Sequence, residues 1–243
     1  ISMMELLENH GFVVARVNMN SQKVDALGGS VKIDDQRYYV ILLEGDHYSF
    51  YRQQFSLAHE LGHWLLHNGV YNPQEVDKGL YKEMEKQANE FASAFLMPKK
   101  AFKRSITVNP DQIEYYLNLK RIWNVSIGSM LIRARDVGVL SPDEYTSLQR
   151  KLSYRGWRKE EPLDNVKFTA SPVALKQGVE LLVENNIVAG YDIPREISIK
   201  YGIALPTNLI EELAGVKEGY LQYKEPKIVQ FKDLKLRNEN DND

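Results

Sequence analysis

Apolar and polar residues follow three successive regimes along this chain. Residues 3–9, MMELLEN, put apolar side chains on one helical face, and Asn9-His10-Gly11 supplies a stop. Three strand-like stretches come next: FVVARVNM (12–19), rich in β-branched residues, and ALGGSVKID (26–34), which alternates weakly around two glycines; RYYVILL (37–43) is a continuous apolar run of the buried-strand kind. Asp34-Asp35 suits a hairpin turn between the last two. From Tyr51 to Asn68 the spacing becomes helical, with Phe55, Leu57, Ala58, Leu61, Leu65 and Leu66 as apolar positions and Asn68-Gly69 as the stop. A second helix, 77–97, carries the stripe Tyr81, Met84, Ala88, Phe91, Ala92 and Phe95 and closes at Met97-Pro98.

Beyond 111 the pattern is helical throughout. Segments 111–123, 126–138 and 141–152 are followed by the break EEPLDN (160–165), then by helices near 172–186, 194–201 and 206–214. The third of these opens Ser141-Pro142-Asp143-Glu144, a capping serine with proline and acids in the first turn. The expected class is therefore α+β: a small β-sheet with two helices over 1–100, then a helical, helix-turn-helix-like subdomain over 101–162. A C-terminal helical extension over 163–232 and a disordered polar tail over 233–243 complete the division.

Composition changes this picture little. A chain of 243 residues can bury a sizeable core, and a net charge of −2 exerts no global pull on nucleic acid or membrane. The absence of cysteine excludes disulfides and thiolate metal sites. No apolar run is long enough to span a bilayer, and no basic-then-apolar export signal opens the chain, so a cytoplasmic protein is expected. The opening ISMMELL lacks an initiator methionine, so a piece of a longer protein is expected as well.

The segment SLAHELGHWLLH (56–67) does change the picture. On a helix, His59 and His63 project side by side from one face, so both imidazoles can reach a single ion. Glu60 sits one position round, poorly placed to ligate that ion but well placed to take a proton from a water beside it. Two histidines need a third protein ligand. His67 lies about 80° round and about 12 Å along the helix from His59, so all three rings cannot converge, and His67 reads as a helix-end bystander near the C-terminal dipole. Acids of the next helix, Glu83, Glu85 and Glu90, are better candidates. Glu85 is favoured because it falls beside the apolar stripe, and Asn89 shares its face, where it can hydrogen-bond a ligand's free ring nitrogen.

FSLAHELGHWLLH followed by EKQANEFASAFLMP resembles the ImmA/IrrE family of zinc metallopeptidases. The resemblance extends through the helical segment to about 162. It implies a zincin-like fold over the first hundred residues. It also implies that Glu85, in the E-x-x-A-N segment, is the third ligand beside His59 and His63. The implied cofactor is zinc, with manganese as the alternative. The implied function is hydrolysis of a helix-turn-helix transcriptional repressor, with Glu60 as the base, which derepresses stress, mobile-element or toxin–antitoxin genes. The competing reading is a DNA- or repressor-binding regulator with a structural or vestigial metal site. Residues 120–159 hold nine Lys/Arg against three Asp/Glu, a local +6, which suits DNA backbone or an acidic protein face; a solvated basic surface on a packing subdomain is favoured over nucleic-acid binding. The helices after 165 are expected to restrain activity.

Overall fold

The computed structural model describes residues 2–19, 25–45, 49–67 and 76–223. The predicted stop at Asn68-Gly69 and the tail 233–243 lie outside these residues. Three strands form one sheet: β1 (Val13–Val17), β2 (Ala26–Ile33) and β3 (Gln36–Glu44), in the order β1-β3-β2. β2 returns antiparallel along β3 through a turn in which Asp34 takes φ 54°, a left-handed conformation that aspartate tolerates. β1 pairs with β3 in parallel, with Val14 opposite Ile41. The most apolar strand is thus the central one, and β2 is an edge.

Alternation assigns the faces. Tyr39, Ile41 and Leu43 of β3 turn with Val14 toward the helices and are buried there. Against them pack Met3, Met4 and Leu7 of α1 (Met3–Asn9), Leu57 and Ala58 of α2 (Phe50–His67), and Ala92 of α3 (Lys78–Leu96). Asp77 caps α3 by accepting from the Gly79 and Leu80 amides at 2.7 and 3.1 Å.

α2 and α3 approach closely because Gly62 faces Ala88. A Cβ at Gly62 would stand 3.2 Å from Ala88 Cα and 3.0 Å from the Phe91 ring. The apolar stripes read from the sequence are narrower in the fold: Leu65, Leu66, Tyr81 and Phe95 are exposed, since the sheet covers only one side of each helix.

A second cluster centres on α5 (Ile113–Trp123), α6 (Ile127–Asp136) and α7 (Pro142–Tyr154). Ile113, Tyr116, Ile127, Met130, Leu131 and Leu148 are its innermost side chains, whereas Ile122 and Ile132 point to solvent. α4 (Lys99–Ser105) escapes the pattern reading, because basic residues surround its one fully buried side chain, Phe102. α7 carries a reciprocal cap: Ser141 Oγ accepts from the Glu144 amide, and Glu144 Oε2 accepts from the Ser141 amide at 2.7 Å.

Lys120 is fully buried where the two clusters meet. It donates to Glu161 at 2.8 Å, to Asp164 at 2.6 Å and to the Pro162 carbonyl at 3.0 Å, beneath the ring of Tyr51. Ser49, at the start of α2, donates to the same Asp164 carboxylate, and Glu161 also accepts from the Ile127 and Gly128 amides that open α6. The first turn of the histidine-bearing helix is thereby tied to the helical region by charge.

Helices α8 (Ala174–Glu184), α9 (Ile193–Tyr201) and α10 (Thr207–Ala214) follow. α8 and α10 pack on β1, the sheet edge opposite β2. Glu8 accepts from the Val173 and Ala174 amides, and Glu212 from the Asn18 amide, each at 2.9 Å.

Candidate metal centre

One face of α2 and one face of α3 supply the donor atoms. His59 Nε2 and His63 Nε2 lie 3.0 Å apart, and the Glu85 carboxylate reaches them at 3.4 and 3.3 Å through separate oxygens. One ligand atom from each of the three residues lies within 4.8 Å of the others, and this is the set among the described residues with the spacing to hold a metal ion. Glu83 and Glu90 instead flank the exposed Lys86.

Hydrogen-bond partners assign the protonation of His59. Asn89 Nδ2 donates to the Glu85 carbonyl at 2.8 Å, which turns its Oδ1 toward His59 Nδ1 at 3.1 Å. An amide oxygen only accepts, so neutral His59 carries its hydrogen on Nδ1 and presents a lone pair at Nε2. That lone pair faces His63 Nε2 and the two Glu85 oxygens, so these atoms need a proton or a metal cation among them. This is the donor chemistry of a transition-metal site with imidazole and carboxylate ligands.

Electrostatics follow the same geometry. Burial pulls the His59 pKa down, but the hydrogen bond to Glu85 and the charges of Glu60 and Glu85 outweigh it and the net shift is upward. Hydrogen bonds from His59 and His63 hold Glu85 well below the usual carboxylate range. Glu60 is only 6% exposed, and burial raises its pKa against the opposing pull of His59, His63 and Tyr39. Tyr39 Oη donates to Glu60 Oε2 at 3.3 Å; its own pKa is raised by burial and then by the Glu60 charge. Glu60 thus sits beside the donor set without belonging to it.

Three contributors were not read from the sequence. Tyr39 and Gly28 frame Glu60 from the sheet, and no short motif marks them. His67 is the third, and it is not a bystander: its Nδ1 lies 3.1 Å from His63 Nδ1, and its Nε2 lies 3.0 Å from Gln87 Oε1. Its i+4 spacing from His63 was the available signal. The basic residues of 120–159 are largely engaged within the fold. Lys120 is buried, Arg133 donates to the Met97 carbonyl, Arg135 pairs with Asp136, and Arg155 pairs with Glu114.

A helix-borne histidine pair completed by a carboxylate from a second helix, on a small α+β scaffold, defines a metallopeptidase-type centre. Residues 7–135 match the Peptidase M78 family, described as the IrrE N-terminal-like domain, and the chain belongs to that family. No curated protein matches it. Among the described residues no helix is long and apolar enough to cross a membrane.

Proposed function

We propose that this protein is a zinc-dependent endopeptidase that cuts a helix-turn-helix transcriptional repressor in the cytoplasm and so releases the genes that the repressor silences. The observation that carries this reading is the convergence of His59 Nε2, His63 Nε2 and both Glu85 oxygens beside a buried carboxylate that is not among them. His59, His63 and Glu85 would hold the metal, whose chemistry when bound is to acidify a water and polarise a carbonyl. Glu60 takes the proton from the attacking water and returns it to the leaving amine. Tyr39 holds the Glu60 carboxylate in place through Oε2. Edge strand β2 can take an extended peptide by strand addition, and Gly28 brings the backbone of that strand directly against Glu60. The repressor as substrate is what the resemblance of residues 55–98 to the ImmA/IrrE family implies.

The test is to incubate the zinc-loaded protein with the repressor encoded nearest its gene and to look for one discrete fragment. Glu60→Gln should keep zinc and lose cutting by about 10²–10⁴-fold, the usual size of a general-base contribution. Cutting by Glu60→Gln at the wild-type rate overturns the assignment.

A further inference from the structure

α3 presents two parallel pairs of side chains one turn apart. Glu85 and Asn89 form the first; Asn89, locked to the Glu85 carbonyl, fixes His59. Glu83 and Gln87 form the second, with Gln87 Nε2 donating to Glu83 Oε1 at 3.3 Å. Among the described residues, no hydrogen bond joins that second pair to His59 or His63 directly. Its contact with the centre runs through His67, whose Nε2 lies 3.0 Å from Gln87 Oε1 and whose Nδ1 lies 3.1 Å from His63 Nδ1.

The hydrogens in this chain can be ordered in only one way if each link is made by neutral rings. Glu83 is an acceptor, so Gln87 turns its amide nitrogen to it and its oxygen to His67. That oxygen only accepts, so His67 carries its hydrogen on Nε2. His67 Nδ1 is then a lone pair, so the hydrogen between the two rings belongs to His63 Nδ1. His63 Nε2 is left as a lone pair beside His59 Nε2 at 3.0 Å and Glu85 at 3.3 Å, free to bind a shared metal cation.

We propose that His67 is a positioning residue for His63. It selects the His63 tautomer whose Nε2 can bind a metal and locks the ring angle, with Gln87 and Glu83 completing the chain. A ligating histidine ordinarily donates its other ring nitrogen to a carboxylate, a carbonyl or water; here a second histidine receives it. The proposal deepens the metal reading above and rests on it.

Two measurements on the full chain test it. Nitrogen-15 NMR of the zinc-loaded protein should show His63 bound through Nε2 with a protected hydrogen on Nδ1 in the wild type, and loss of that protection in His67→Phe. Competition with a chromogenic chelator for zinc should show the zinc dissociation constant of His67→Phe rising about 10–100-fold, the usual cost of losing such a partner. His67→Asn, which returns an acceptor at the Nδ1 position, should recover most of that loss. If His67→Phe binds zinc within twofold of wild type, or wild-type His63 carries its hydrogen on Nε2, the proposal is wrong. Should His67→Phe fail to fold, Gln87→Met on the exposed face of α3 decides: weaker zinc binding supports the chain, and unchanged binding overturns it. A wild type that holds no zinc defeats the metal reading itself, whereas unchanged zinc binding in His67→Phe defeats only the role of His67.

Discussion

Gly28 on the edge strand lies directly against the carboxylate of Glu60. A Cβ built at Gly28 would stand 2.1 Å from Glu60 Oε2 and 2.6 Å from Tyr39 Oη, with the Tyr39 ring at 2.9 Å. The position therefore accepts only hydrogen while Glu60 and Tyr39 keep their places. Gly28→Ala should push the carboxylate aside and lower turnover by about 10–100-fold, in line with the sensitivity of catalysis to misplacements of about 1 Å. Zinc affinity should stay near the wild-type value, because Gly28 faces the base and not the donor atoms. Turnover and chelator competition, measured on the same preparation, check both halves.

Glu85 and Glu90 share a helix but not a role. Glu85→Gln removes the carboxylate that bridges both histidines and should weaken zinc binding by more than the ~10–100-fold typical of losing a supporting group. Glu90→Gln, whose partner is Lys86 on an exposed face at 3.9 Å, should bind zinc as the wild type does. Equal losses in the two variants would contradict the site.

Metal removal should destabilise the fold. Without a metal, a proton must take its place among His59, His63 and Glu85, which stand 3.0 to 3.4 Å apart. Zinc held at ~100 times its dissociation constant stabilises a native protein by about 2.7 kcal/mol, so chelation should lower the melting temperature by roughly 5–10 °C. A melting curve unmoved by chelator argues against a metal bound to the native state.

Lys120 is the sole cation described in contact with Glu161 and Asp164, and all three side chains are at least nine-tenths buried. Lys120→Met leaves two buried carboxylates without their counter-ion and should cost about 3–5 kcal/mol in denaturant unfolding. Because Asp164 also holds Ser49 at the start of α2, zinc affinity should fall with stability in this variant. A loss below about 1 kcal/mol would mean that the network is solvated in solution.

The sequence by itself determined the elements and the chemistry that depends on local spacing. β-branched and apolar runs mark three strands, the 3.6-residue stripes mark α2 and α3, and a four-residue interval sets His59 and His63 on one face with Glu60 beside them. Turn geometry also separates Glu85 from Glu83 and Glu90, because only Glu85 borders the stripe that packs inward. Each of these relations is confined to one helix or strand, where backbone periodicity alone fixes who faces whom. The exposed ends of the stripes, at Leu65, Leu66, Tyr81 and Phe95, could not be foreseen, since periodicity gives a direction but not the extent of the partner that covers it.

Everything that joins elements was decided by tertiary structure. β1 pairs in parallel with β3 across a later strand, so β2 becomes the edge that meets Glu60. Gly62 against Ala88 sets the helix separation that lets Glu85 reach both imidazoles. Gly28, Tyr39 and Gln87 act at the centre only through such long-range packing, and no local pattern distinguishes them from ordinary strand and helix residues. His67 shows the boundary between the two kinds of information. Helical spacing leaves it outside the donor set of His59, His63 and Glu85, but a second helix brings Gln87 within 3.0 Å of it.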